Sequence, residues 1–255
     1  MTVAHGTVEA PVETALHRAP AECKVLATLV FVVAVALVPR GALVWPYAVD
    51  AALLAAVAAA ARTPPGLLGR RVAIEAPFIL FVVLLPIFTA GPRVDVLGVS
   101  LSEEGLWTAW GITAKATLAV LATGVLAWTT PAPDILRGAE RLRMPRRLVA
   151  IAGFALRYLE VILGELRRMQ LARVARGDDP RWLWQARAVG RSAGALAVRA
   201  FARGERVHVA MLARGYDGAL PVTDLAPAAA PAAWAAALVA PAAATAVLLV
   251  SWGWL

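Results

Sequence analysis

The chain has 255 residues, 60% apolar and 16% charged, with a mean hydropathy of +0.70; ordinary soluble domains are about a quarter charged. These values exclude a disordered chain, argue against a soluble enzyme, and fit a polytopic helical membrane protein; a single cysteine, Cys23, excludes a disulfide framework and a thiolate metal cluster. The formal net charge is +8, and it is concentrated: Arg137 to Arg214 holds 17 arginines and 6 acids, whereas the other 177 residues hold 8 basic and 11 acidic groups.

Residues 1–23 contain Glu9, Glu13, Glu22, Pro11 and Pro20 and no apolar run. They read as a short cytoplasmic tail and not as a signal peptide. Five segments then approach the length needed to cross a hydrocarbon core of about 30 Å at 1.5 Å per residue. Val25–Val38 is uncharged but short, and is expected to begin a turn earlier. Pro39-Arg40-Gly41 reads as a tight turn. Gly41–Ala61 follows with Asp50 inside it, then Val72–Ala90 with Glu75 near its start, and Gly105–Thr130 with Lys115. Ala232–Leu255 is the last, in a stretch without charge beyond Asp224.

Loop charges orient these spans. Arg62, Arg70 and Arg71 place the loop after span two inside, and Asp95, Glu103 and Glu104 outweigh Arg93 and place the loop Gly91–Glu104 outside. The basic block then falls inside, with the N-terminus cytoplasmic and the C-terminus outside. Trp45, Trp107, Trp110, Trp128, Trp234, Trp252 and Trp254 lie near the expected span ends, as an interfacial belt requires. Charges inside spans are candidates for function, but here structural roles are expected. Glu75 lies four residues from Arg71 and can snorkel to the interface. Lys115 is positioned by sequence to pair with Asp50.

The basic block carries the most information. Pro131 ends span four, and Asp134 is a candidate cap for a short helix from Ile135 to Arg143. Pro145 opens a long amphipathic helix with Leu148, Ala152, Ala155, Leu159, Ile162 and Leu166 on one stripe and Arg157, Glu160, Arg167 and Arg168 opposite. A second follows Pro180, with Trp182 and Trp184 near its start as interface anchors. Val189, Ala193, Leu196, Ala200, Val207 and Met211 line one face, and Arg187, Arg191 and Glu205 lie away from it. Both helices close alike, with Ala175-Arg176-Gly177 and, 38 residues on, Ala213-Arg214-Gly215. Glycine supplies the left-handed residue after a helix end and arginine complements the dipole. Repetition in the most basic part of the chain also points to docking, because a projecting guanidinium can fork onto carboxylates or carbonyls of a partner. Both readings can hold together.

At these residues the sequence resembles the T component of energy-coupling factor transporters, within it the cobalt-type (CbiQ) branch. The resemblance covers roughly residues 24–222. It is carried by Ala76-Pro77-Phe78 through Leu85-Pro86-Ile87-Phe88, by Thr129-Thr130-Pro131-Ala132-Pro133-Asp134-Ile135-Leu136, and by Arg157-Tyr158-Leu159. The first Ala-Arg-Gly follows, and then Arg203-Gly204-Glu205-Arg206-Val207 leading to Ala210-Met211-Leu212-Ala213-Arg214-Gly215-Tyr216-Asp217-Gly218. Gly204 departs from the larger or polar residue expected there. The resemblance implies an all-α membrane protein of about five transmembrane helices plus a cytoplasmic coupling module of one short and two long amphipathic helices. Its organisation would be a tail at 1–23, a four-helix membrane region at 24–130, coupling helices at 131–222 and a last span at 223–255.

The resemblance further implies a multi-pass scaffold in the cell inner (plasma) membrane. It would couple two cytoplasmic ATPase subunits to a substrate-binding membrane subunit, most simply for cobalt(2+) uptake and alternatively for nickel or a vitamin. Ala175, Arg176, Gly177, Ala213, Arg214 and Gly215 would be the ATPase-docking residues. The residues themselves argue against a metal site and a catalytic constellation in this chain, and no enzyme activity, no cofactor and no nucleic-acid partner are expected. A phosphate-binding loop needs Gly-Lys-Ser/Thr, and the only lysines, Lys24 and Lys115, follow Cys23 and Ala114. His5, His17 and His208 are too scattered for a cobalt or nickel site. Readings of other classes are a stand-alone permease using Asp50, Glu75 and Lys115, and a membrane enzyme whose basic block binds phosphorylated lipids.

Overall fold

A computed structural model describes residues 14–39, 44–89, 92–96, 99–177, 186–217 and 229–253. In chain order the elements are α1 (Ala15–Arg18), α2 (Ala21–Leu37), α3 (Val44–Ala60), α4 (Pro65–Val83), α5 (Leu85–Phe88), β1 (Arg93–Val96), β2 (Val99–Ser102), α6 (Glu103–Thr129), α7 (Ala132–Arg141), α8 (Arg146–Ala175), α9 (Ala186–Leu212) and α10 (Pro231–Gly253). The protein is an all-α membrane protein apart from one short antiparallel hairpin. That hairpin pairs Arg93 with Ser102 and Val96 with Val99, inside the segment expected to be a loop. The chain divides into two compact units, Met1–Leu142 with Pro227–Leu255, and Arg143–Ala226.

Among the described residues three helical stretches are long and apolar enough to cross a membrane: Pro65–Phe88, Glu103–Thr129 and Pro231–Trp252. α2 and α3 are apolar helices of 17 residues each, about 25 Å long and at the short end of the spanning range. Prolines set most boundaries. Pro20 precedes α2, Pro64 and Pro65 open α4, Pro131 precedes α7 and Pro145 precedes α8, positions where the missing N–H costs nothing. α2 thus begins a turn before the apolar run, as expected. Arg40 and Gly41 of the expected tight turn lie outside the described residues, as do Trp182, Trp184 and Trp254. α6 starts two residues early because Ser102 caps it, accepting from the Gly105 N–H at 3.3 Å, with Glu103 and Glu104 in the first turn.

In the first unit α2 is the central helix. It packs most extensively on α10, and also on α6 and α7. The core joins Phe31, Val35, Tyr47, Leu54, Leu118 and Val125 with Ala34, Ala58, Ala122 and Ala244. Small residues matter here, because lipid tails are as apolar as leucine and helices associate through close packing.

The start of α2 is held by a buried carboxylate. Glu22 is 5% exposed, and its two oxygens accept from Arg141 Nη1 at 3.1 and 3.0 Å while Oε1 also accepts the Ala229 N–H at 3.1 Å. Three stretches far apart in sequence meet there. Gly138 lets α7 approach, since a Cβ at that position would lie 2.9 Å from the Ala21 carbonyl carbon and the Glu22 nitrogen. α7 therefore belongs to the membrane unit, whereas its place in the sequence groups it with the long amphipathic helices. It also begins at Ala132, with Asp134 in its first turn pairing with Arg137 and making no cap.

The charges inside the spans do different work from that expected. Lys115 Nζ donates to the carbonyls of Ala36 at 3.0 Å and Val38 at 2.6 Å, and Trp252 Nε1 donates to Leu37 O at 3.3 Å. Together they satisfy the last carbonyls of α2, which water cannot reach in an apolar layer. Lys115 is thus a helix cap and not the hydrogen-bond partner of Asp50. Asp50 is 0% exposed, and neither of its oxygens has a hydrogen-bond partner among the described residues. Glu75 does not snorkel outward. It is buried, and its Oε2 accepts from Thr117 Oγ1 at 3.2 Å, joining α4 to α6.

Replacing Glu22 by Ala takes the carboxylate from Arg141 and removes an anchor from α2, α7 and the approach to α10. The expected loss is roughly 2–3 kcal/mol, below the fully buried range because Arg141 keeps 24% of its side-chain surface exposed. Thermal unfolding in detergent should show a lower Tm for Glu22→Ala, and an unchanged Tm would refute the anchoring role.

Candidate helix-end docking site

The second unit contains α8 and α9, two long helices that pack on each other. A cavity of about 260 Å³ lies between them, bounded by Val161, Ile162 and Glu165 of α8 and Leu196, Arg199 and Arg203 of α9. Glu165 is the polar centre of this contact, accepting from Arg168 one turn away, at 2.8 Å, and from Arg199 across the pair. Hydrogen bonds from Arg168 and then from Arg199 hold its carboxyl below the ordinary carboxylate range.

On α9 the expected inner face is partly used. Leu196, Ala200, Val207 and Met211 are half-buried, while Val189 and Ala193 are exposed. On α8 the expected stripe divides likewise: Ala152, Ile162 and Leu166 are half-buried, but Leu148, Ala155 and Leu159 are exposed. The contact with α9 runs through Val161, Ile162 and Glu165, which is rotated from the stripe's centre, so one flank of the stripe faces away. α9 carries a second apolar row, Val198, Phe201, Val209 and Leu212, all exposed, with Phe201 at 79%. At about 100° per residue this row lies opposite the inner face. The sequence pattern does not reveal it, because Arg199, Arg203 and Glu205 are interspersed through the same stretch.

The two helix ends are built alike. In α8 the Arg176 N–H donates to Arg173 O at 2.9 Å and the Gly177 N–H to Val174 O at 3.0 Å, with Gly177 at φ +83°. In α9 the Arg214 N–H donates to Met211 O and the Gly215 N–H to Leu212 O, both at 3.0 Å, with Gly215 at φ +82°. The Tyr216 N–H then returns to Met211 O at 3.0 Å, completing a glycine-terminated cap. Ala175, Arg176, Gly177, Ala213, Arg214 and Gly215 are all exposed. Among the described residues neither the Arg176 nor the Arg214 guanidinium has a hydrogen-bond or ion-pair partner. Each helix therefore offers the same unit: an arginine at the cap, a small residue before it, and a backbone turned away by glycine. Such a unit can enter a groove and present its cation to carboxylates or carbonyls.

Among the described residues no group of three or more His, Cys, Asp or Glu side chains is placed to hold a metal ion. His17 Nδ1 is 2.8 Å from Thr14 Oγ1, and His208 is exposed on α9. His5 lies outside the described residues.

Comparison with known proteins places this architecture among transport proteins. The cobalt transport protein family CbiQ matches residues 13–224. The cobalt transport protein CbiQ of Rhodobacter capsulatus is 31% identical over 172 residues, 64% of this chain and 69% of that protein. A protein of Methanocorpusculum labreanum named as a putative fused cobalt transport protein CbiMQ is 27% identical over 99 residues, 39% of this chain and 16% of its own length. An uncharacterised protein of Methanocaldococcus jannaschii is 31% identical over 93 residues, 36% of this chain and 35% of its own.

Two outcomes test the geometry. A Cβ at Gly177 or Gly215 would meet nothing within 4 Å, so Gly177→Ala and Gly215→Ala should cost only the left-handed backbone, about 1–2 kcal/mol each. Faster hydrogen exchange should be confined to the last turn of the altered helix. The Glu165 contact should respond to acid in a defined sense. Its carboxyl is held low when folded, so its contribution is present above the ordinary carboxylate range of about 4.3 and fades as the pH falls through its lowered value. Exchange across Ile162–Leu166 should therefore be faster in Glu165→Gln than in wild type at about pH 6, and the two should converge once the pH has fallen through that lowered value.

Proposed function

The chain belongs to the CbiQ cobalt transport protein family, and from that premise we propose that it is the T component of an energy-coupling factor importer. It is a membrane component of transport whose family relatives are transport proteins. In the proposed reading it spans the cell inner membrane with five helices, its N-terminus and its α8–α9 unit cytoplasmic and its C-terminus outside. It couples two ATPase subunits to a membrane subunit that binds the substrate, with cobalt(2+) as the cargo, and hydrolyses no ATP itself.

The observation that carries this reading is the pair of matching helix ends, with the same two backbone bonds and glycine φ values of +83° and +82°. Two equal tips suit two equal or similar partners. Arg176 and Arg214 are the docking cations, supported by Ala175, Gly177, Ala213 and Gly215. The exposed apolar rows of α8 and α9 suit a neighbour, since contiguous apolar surface on a folded chain marks contact with protein or lipid. The substrate-binding subunit is the proposed neighbour.

Glu22 supports a mechanical role. The chain passes between its two units at residues 142–143 and 226–227, and Glu22 bonds Arg141 and Ala229. One buried carboxylate thus ties the end of α7 to the approach to α10 within the first unit, which suits a scaffold. A stand-alone permease fits less well, since Lys115 is spent on capping α2 and Glu75 is bonded to Thr117.

Reversing a docking charge should separate assembly from insertion. Arg176→Glu or Arg214→Glu should weaken binding of the ATPase subunits on the order of 100-fold, with the double variant worse, while membrane insertion stays normal. Co-purification with the ATPases and ATP-dependent cobalt uptake in vesicles are the measurements. Full assembly and uptake by both variants would defeat the docking reading.

A further inference from the structure

The open groove of about 260 Å³ between α8 and α9 has an apolar lining, including Val161, Ile162, Leu196 and Ala200, and an unequal share of charge. α9 contributes Arg199, Arg203 and Arg206, whereas α8 contributes Glu165 alone. At about 100° per residue the three arginines fall within about 60° of one another around α9, so they form one row. Like charges three and four residues apart on a helix repel. The row is therefore stable only to the extent that something of opposite charge meets it.

Glu165 does not neutralise the row. It accepts from Arg168 on its own helix and from Arg199 across the pair, and these two guanidinium groups more than match its single charge. Arg203 and Arg206 have no hydrogen-bond or ion-pair partner among the described residues. Glu205 stands between them in sequence but at about 100° or more from either around the helix, and it does not line the groove. Two cations thus border a hollow whose one acid is already satisfied.

The spacing selects an anion by shape. Residues three apart on a helix have Cβ atoms about 5–6 Å from each other, close enough for two guanidinium forks to converge on one small anion. A phosphate monoester offers three acceptor oxygens and a charge of about −1.5 to −2 at pH 7, which balances two arginines. A lone carboxylate brings one charge and leaves the second arginine unmatched. Guanidinium binds phosphate through paired N–H bonds.

We propose that the α8–α9 groove binds a phosphate group through Arg203 and Arg206. The bound anion relieves the repulsion along the arginine row and so stabilises the helix pair. The site uses neither Arg176 nor Arg214, and it stands or falls without the docking of ATPases to the helix ends.

The test uses the full chain without any ATPase. In detergent it is titrated by calorimetry with inorganic phosphate, against chloride at constant ionic strength. In nanodiscs of phosphatidylcholine, with or without phosphatidic acid, it meets the same group on a lipid. One equivalent of phosphate should bind and raise the Tm. Whichever source binds, Arg203→Gln and Arg206→Gln should each weaken binding about tenfold, as expected for losing the charge-assisted bonds of one guanidinium. Arg157→Gln removes an exposed arginine of α8 that does not line the groove, and should leave binding unchanged. Saturable binding of inorganic phosphate supports the site and assigns it a soluble ligand. Slower hydrogen exchange across residues 199–206 with phosphatidic acid, and no response to inorganic phosphate, supports it and assigns a lipid head. No response to either source, or an equal loss in Arg157→Gln, overturns the proposal.

Discussion

A carboxylate shut away from water is tolerated only when donors are brought to it, and Glu22 draws its donors from parts of the chain more than a hundred residues away. Arg141 comes from the end of α7 and the Ala229 N–H from the approach to α10. α2, which carries Glu22 in its first turn, is also the helix on which α10, α6 and α7 pack. The contact therefore fixes the start of the helix that organises the rest of the membrane unit. It works because Gly138 has no side chain to hold α7 off.

The same physical demand recurs at the other end of α2. An apolar layer provides no water for the final carbonyls of a helix, and Lys115 and Trp252 reach them from α6 and α10. Lys24 performs a similar service for the end of α6, bonding Thr129 O. Ionisable groups in spans invite a functional reading by their cost alone. Here two lysines are used to close helices, and Glu75 joins α4 to α6 through Thr117. Among the described residues these three ionisable groups thus hold helices together, whereas Asp50 is buried without a hydrogen-bond partner.

α8 and α9 are organised in the opposite way. Their mutual contact is modest, centred on Ile162, Leu196 and the Glu165–Arg199 pair, and much apolar surface stays outside it. A helix pair that exposes Phe201 and Leu171 to this extent is shaped for further contacts. Its ends combine glycine-terminated backbone caps with guanidinium groups that have no hydrogen-bond or ion-pair partner among the described residues. Glycine at positive φ makes the direction in which the chain leaves each helix a property of the backbone.

The membrane class, the long helices and the twin Ala-Arg-Gly ends are legible in the sequence, because hydropathy, proline boundaries and glycine after a helix are local signals. Ala175 to Gly177 and Ala213 to Gly215 need nothing from the rest of the chain to be recognised as helix ends. What lies beyond reach are partnerships between distant residues. The sequence allows Lys115 to pair with Asp50, both being charges inside spans, but the geometry of α6 against α2 directs it to carbonyls. Sequence order groups α7 with α8 and α9, but Gly138 and Arg141 bind it to α2. The outer apolar row of α9 and the flank left exposed on α8 depend on which side each helix turns to the other, and amphipathic periodicity alone does not decide that. Sequence by itself determined the elements and their ends, since those follow from propensities acting over a few residues. Only the tertiary structure decided which buried charge meets which donor and which apolar face stays open, because those choices are made by packing between segments that the chain separates by up to about two hundred residues.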